Sequence, residues 1–145
     1  QQEIREAGGF SMLSKKYVHY GMRAFSVVIA GAIFALSAQS KQPIPENAAF
    51  PGLDKILHAA AFCAFAFAFS FWFSDEKWAE KPIKYIALVF AAAALYGISD
   101  ELHQYFVPGR DTSVYDWFAD CAGAAAAAFI RSAIVRRALR ASAKK

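Results

Sequence analysis

Four stretches of apolar residues, separated by short polar runs, organise this chain. The first covers about Ala24 to Ala38, AFSVVIAGAIFALSA. The second runs from Ile56 to Phe73 and is broken by His58. The third runs from Ile83 to Ile98 and is broken by Lys84. The fourth runs from Val114 to Ile130 and carries Asp116 and Asp120. With its polar flanks, each reaches the roughly 20 residues a helix needs to cross the hydrocarbon core. Residues 64–69 alternate Ala and Phe, the period of a strand, but segment length and alanine content predict helix there too. A soluble helical bundle ranks below a membrane one, because no segment carries the broad polar face of a soluble surface helix. The expected fold is all-α, an integral membrane four-helix bundle. Small residues beside large ones favour close packing between membrane helices. Gly21, Gly31, Gly97, Gly123 and the alanine run 124–128 are the positions expected to supply it.

Composition agrees: of 145 residues, 57% are apolar and 19% charged, a single-domain length with its charge gathered between the segments. Three regions are expected. Residues 1–23 form an N-terminal cytoplasmic arm, 24–135 the four-span domain, and 136–145 a basic cytoplasmic tail. Two readings of residues 1–11 stand open, a native arm or an appended sequence ahead of a natural start at Met12. The first apolar segment lacks a small-x-small cleavage pattern, so it reads as a span rather than a removed signal. Four spans put both termini on one side. Arg5, Lys15, Lys16 and Arg23 lie there, with Lys77, Lys81 and Lys84 of the second connection. So do Arg131, Arg136, Arg137, Arg140, Lys144 and Lys145. These are thirteen of the sixteen Lys and Arg residues; Lys41, Lys55 and Arg110 face the other way. The positive-inside rule then predicts cytoplasmic termini. The net charge of +4 reads as membrane topology and attraction to anionic lipid. No aromatic-basic pattern points to nucleic acid.

The chemistry is concentrated where the first and third connections reach the outer face. The first, KQPIPENAAFPGLDK, has three prolines and a glycine and is expected to be irregular. It ends at Asp54, read as the N-cap of the second helix, with His58 one turn deeper on the same face. On the third segment Gly97, Glu101 and Gln104 share one stripe. Asp100 and His103 fall on a neighbouring stripe expected to face water. Pro108-Gly109 breaks the helix. Ser113-x-x-Asp116 fits a capping box opening the fourth, with Asp120 one turn below Asp116. His58, Glu101 and Asp120 match in depth, and ionisable groups inside a span raise the prior for function. Asp54, Ser113 and Asp116 fit helix capping as well as a site. Arg110 fits a pair with Asp111 or Asp116, or a lipid phosphate. His19 reads as an interface residue. Cys63 and Cys121 lie at similar depth and read as small hydrophobes rather than a disulfide.

Together these residues resemble the VanZ-like family of small polytopic bacterial membrane proteins. The likeness rests on Asp54-Lys55-x-x-His58, then Gly97-x-x-x-Glu101-x-x-Gln104, the Pro108-Gly109-Arg110 turn, Ser113, and Asp116-x-x-x-Asp120 ahead of Gly123. It spans residues 24–135. Asp120 stands where the family often has Asn, which adds charge to the pocket. The family is named for a protein associated with low-level resistance to teicoplanin, a lipoglycopeptide. The resemblance therefore implies a multi-pass protein of the bacterial cytoplasmic membrane with a role in the cell envelope.

Two functions from different classes follow as expectations. The first is a protein binding an amphiphile, a lipid-linked cell-wall precursor or a lipoglycopeptide at the outer leaflet. Its binding residues would be Asp54, Lys55, His58, Glu101, Gln104, Arg110, Ser113, Asp116 and Asp120. Arg110 and Lys55 would take phosphate or carboxylate, and Phe50, Tyr105 and Phe106 the acyl chain. The second is an intramembrane hydrolase or transferase, with His58, Glu101, Asp116 and Asp120 as the candidate catalytic groups. His and carboxylates suit several divalent ions. Their spacing here matches no metal motif, so no metal is assigned and the cofactor stays open. A purely structural polar network ranks third. A transporter ranks last, since four spans would have to oligomerise to enclose a path.

Overall fold

The computed structural model describes residues 2–40 and 50–144, with 2–15 as backbone helix. The prolines Pro43 and Pro45 of the first connection, with Lys41, lie outside the described residues. Five α-helices follow in order: α1 (Gln2–Ser37), α2 (Leu53–Phe69), α3 (Asp75–Glu80), α4 (Pro82–Tyr105) and α5 (Val114–Ser142). A single 3-10 turn, Ser70–Trp72, extends α2. No strand occurs among the described residues. Four helices are long and apolar enough to cross a membrane: Lys16–Ser37, Leu53–Trp72, Pro82–Tyr105 and Val114–Ser142. The chain is an all-helical membrane protein with four candidate spans. Its outward surface agrees, since Val27, Val28, Leu95, Ile98, Leu102, Phe129 and Ile130 are exposed on the bundle exterior.

Elements begin and end where local chemistry dictates. Gly52 caps α2 at φ +85°, a left-handed conformation that a side chain would strain. The turn ahead of it closes through Leu53 N–H donating to the Phe50 carbonyl at 3.1 Å. This corrects the expectation for Asp54. The glycine turn starts the helix earlier, leaving Asp54 in the first turn, where its charge favours the helix dipole. Pro82 opens α4, at a position where a missing N–H costs nothing. Pro108 and Gly109, the latter at φ +80°, turn the chain into α5. The helices α1 and α5 both run through the boundaries expected at residues 23 and 135 without interruption.

α5 is the central element. Half of its span is buried inside the protein, against 17% for α1. It packs on α2 and α4, and α1 lies on the outside of α2. Small residues set the α2–α5 distance. A Cβ on Gly123 would collide with the Ala59 carbonyl and come within 3.0 Å of the Cys63 nitrogen. Ala66, Ala124, Ala127 and Ala128 are fully buried along the same core. Gly97 is close-packed to a lesser degree, a Cβ there lying 3.1 Å from Trp117 and 3.4 Å from Phe62. Gly21 and Gly31 are different: a Cβ on either would meet nothing within 4 Å, so the packing role expected of them is not theirs. Cys63 and Cys121 are free and half-buried.

The second connection is more ordered than its charge suggests. α3 sits in it and buries Trp78, whose indole N–H donates to the Ser70 carbonyl at 3.1 Å. Arg131, counted above only among the basic residues on the side of the termini, is also buried. It pairs with Asp75 and lies 4.1 Å over the Phe71 ring. His19 approaches the same two residues, 3.1 Å from the Phe71 carbonyl and 3.5 Å from Asp75. This clamp ties α1, α3 and α5 together at the end opposite the polar site.

Candidate functional site

The opposite end gathers the polar residues of three spans. His58, on α2, meets Asp120, on α5, with Nδ1 and Oδ1 3.0 Å apart. Asp120 is fully buried, and its second oxygen, Oδ2, has no hydrogen-bond partner among the described residues. α4 makes room for that oxygen, because a Cβ on Gly97 would lie 3.1 Å from it. Glu101 completes the group. One of its oxygens, Oε2, accepts the Ser113 backbone N–H at 2.9 Å. The other, Oε1, is buried without a partner. Donor atoms from His58, Glu101 and Asp120 all lie within 4.8 Å of one another.

Glu101 changes how α5 is capped. Ser113 is the N-cap, and its hydroxyl accepts from the Tyr115 N–H at 3.2 Å. A capping box would return the Asp116 carboxylate to the Ser113 N–H. Here Glu101 of α4 takes that N–H, and Asp116 is free to turn away toward Lys55. The expected capping box does not form: the Ser113 hydroxyl caps the Tyr115 N–H rather than that of Asp116, and a carboxylate from another helix takes the Ser113 N–H. Lys55 also bonds Asp54 at 2.7 Å, so its ammonium is held between two carboxylates. Asp54 of α2 and Asp116 of α5 carry like charge and would repel, and the lysine they share offsets that.

A third group sits toward α1. Asp100 is 4% exposed and accepts from the Ser37 hydroxyl at 2.6 Å and from the Gln104 amide at 2.8 Å. The expectation that Asp100 faces water is corrected. The third-segment stripe that carries it turns toward α1, whose Ser37 supplies the partner. His103 of the same stripe is half-buried and stacks on Phe34 of α1 at 4.4 Å. Neither Ser37 nor Asp100 was among the expected site residues. The signal for Ser37 was a hydroxyl at the end of an otherwise apolar segment.

These groups border a cavity of about 610 Å³. Ile33, Leu36, Leu53, Leu57 and Phe62 make its apolar walls. Asp54, His58, Asp100, Gln104 and Arg110 make its polar end. The Nε of Arg110 is buried without a partner, and Arg110 forms no ion pair with Asp111 or Asp116. A second groove of about 430 Å³ lies between α4 and α5, lined by Glu101, Ser113, Tyr105 and Trp117 among others. The cluster of His58, Asp120 and Glu101 therefore separates two recesses. The nine expected binding residues divide accordingly. Asp54, His58, Gln104 and Arg110 face the larger cavity, and Glu101 and Ser113 the smaller. Lys55, Asp116 and Asp120 line neither and hold their neighbours. Phe50 and Phe106 are exposed and line neither recess.

The arrangement has the parts of an amphiphile site, with apolar walls and a few convergent polar groups in a volume typical of ligand pockets. It also has an imidazole oriented by a carboxylate, the pairing general-base chemistry uses. Comparison with known proteins adds the family. Residues 9–135 match the VanZ/LLP1 family. No curated protein and no solved structure matches the chain.

Proposed function

Because the chain belongs to the VanZ/LLP1 family and carries four candidate spans, we propose that it works in the bacterial cytoplasmic membrane as a multi-pass envelope protein whose cavity binds an amphiphile. Both termini lie in the cytoplasm in this reading, and the cavity opens to the outer leaflet. The ligand is a lipid-linked cell-wall precursor or a lipoglycopeptide of the teicoplanin type. The observation that carries the reading is the half-buried Arg110, without an ion pair among the described residues, at the polar end of a cavity with apolar walls. Its Nε is buried and unpartnered there, and a phosphate or carboxylate on the ligand would satisfy it with a bidentate contact. The acyl portion would run along Ile33, Leu36 and Leu57.

The test is teicoplanin susceptibility of cells expressing the wild type, Arg110→Ala or Glu101→Gln at matched membrane levels. Protection by the wild type that falls with Arg110→Ala supports the reading. Equal protection by all three proteins removes this pocket from the phenotype, and no protection by the wild type removes the lipoglycopeptide as ligand. One observation favours a second reading, an intramembrane hydrolase or transferase acting on a lipid-linked substrate. It is the approach of His58, Glu101 and Asp120 between the two recesses. A His58→Ala variant that keeps ligand binding but loses a measured turnover would select it.

A further inference from the structure

From the geometry of the cluster that separates the two recesses we infer that His58, Glu101 and Asp120 form a binding site for one divalent first-row metal ion of the zinc type. The three side chains come from three different helices, and their donor atoms lie within 4.8 Å of one another. Two features separate them from an ordinary acidic cluster. Each carboxylate is anchored through one oxygen and leaves the other buried and unpartnered. Asp120 is held by His58 and presents Oδ2; Glu101 is held by the Ser113 N–H and presents Oε1. In addition, α4 carries a glycine where the Asp120 oxygen projects, so that the space beside it stays open.

Charge balance points the same way. Ionised, the two carboxylates place two negative charges beside a neutral imidazole, inside a span where uncompensated charge is expensive. The Lys55 amine is taken by Asp54 and Asp116. A divalent cation cancels the charge and occupies both unpartnered oxygens. The donor set is one imidazole with two carboxylates and no thiolate, which suits zinc or manganese better than a soft ion, and the imidazole disfavours magnesium. Modest side-chain rotation brings such donors to the ~2.0–2.2 Å bonds of zinc. Three protein ligands leave a position open for water or for an oxygen of the amphiphile. The site's spacing escaped the sequence because its ligands are 43 and 19 residues apart on separate helices, with no two on one turn.

The full chain would be purified in detergent on an affinity tag free of histidine, stripped with EDTA, reloaded with Zn²⁺ and gel-filtered. Metal would then be counted by plasma mass spectrometry. The wild type and an Asp111→Asn control are expected to hold close to one zinc per chain. Glu101→Gln and His58→Ala are expected to bind at least ~10-fold more weakly, the minimum seen when a metal site loses supporting groups. Glu101→Gln keeps an oxygen for the Ser113 N–H, so it should fold, and its melting temperature would rise less than that of the wild type at the same zinc concentration. A wild type that retains no more zinc than these variants, or retains it without a melting shift, overturns the inference and leaves one carboxylate protonated as the means of charge relief. Amphiphile binding that survives EDTA keeps the cavity reading intact, so the two failures are distinguishable.

Discussion

At the residue scale, the tightest arrangement is Asp100 between Ser37 and Gln104. Removing the shared acceptor leaves the buried Gln104 amide without its partner, while the Ser37 hydroxyl can still donate to the Ile33 carbonyl at 3.0 Å. Asp100→Ala should therefore cost about 1–3 kcal/mol, for the one orphaned group. Thermal unfolding in detergent checks this against Asp111→Ala, an exposed aspartate expected to change little. A similar melting temperature for both would show that the network contributes nothing. The sequence made the His58–Asp120 pair legible, because each lies one turn inside its helix and depth is read by counting residues. It did not reveal Asp100. Helical spacing says which side chains share a stripe, but the partner helix decides which stripe is buried. Here that partner is Ser37, 63 residues away. Arg110 was legible as a cation at the outer turn, but its missing counter-charge was not.

At the element scale, the α2–α5 contact holds the site together. Gly123 is where the two backbones approach, and His58 and Asp120 meet across the same pair of helices. Gly123→Ala must push α5 from the Ala59 carbonyl, so a loss of about 1–3 kcal/mol is expected, in the range of overpacked cores. Gly31→Ala, with open space around it, should leave the melting temperature unchanged or raise it slightly through its higher helix propensity. Equal effects of the two would contradict the packing account. Glycine content alone could not separate these positions, since one glycine faces a helix and the other faces lipid. The short helix α3 was hidden for a related reason. Its sequence DEKWAE is mostly charged and six residues long, too short for a helical period to show, and Trp78 is its buried residue. Arg131 is a further case, a basic residue that both marks the end of a span and packs against Phe71 and Asp75.

At the scale of the whole molecule, hydrophobic patterning predicted four spans, and the four helices follow it to within a few residues at most ends. Orientation rests on the distribution of Lys and Arg. A reporter fused after Lys145 should be active only where it is cytoplasmic, and one inserted near Asp111 only outside. The reverse result would turn the cavity to the cytoplasm and end the envelope reading. The two polar ends then have different tasks. The Arg131–Asp75 clamp fixes the helices at one end, and the open cavity lies at the other. The central claim is that this cavity takes an anionic amphiphile through Arg110. Its most direct test is equilibrium binding of a lipid-linked cell-wall precursor, and separately of teicoplanin, to the purified wild type and Arg110→Ala. Losing a charge-assisted contact of about 1.5–3 kcal/mol predicts saturable binding by the wild type that weakens at least ~10-fold in the variant. Binding of equal strength to both proteins, or no saturable binding of either ligand to the wild type, would contradict it.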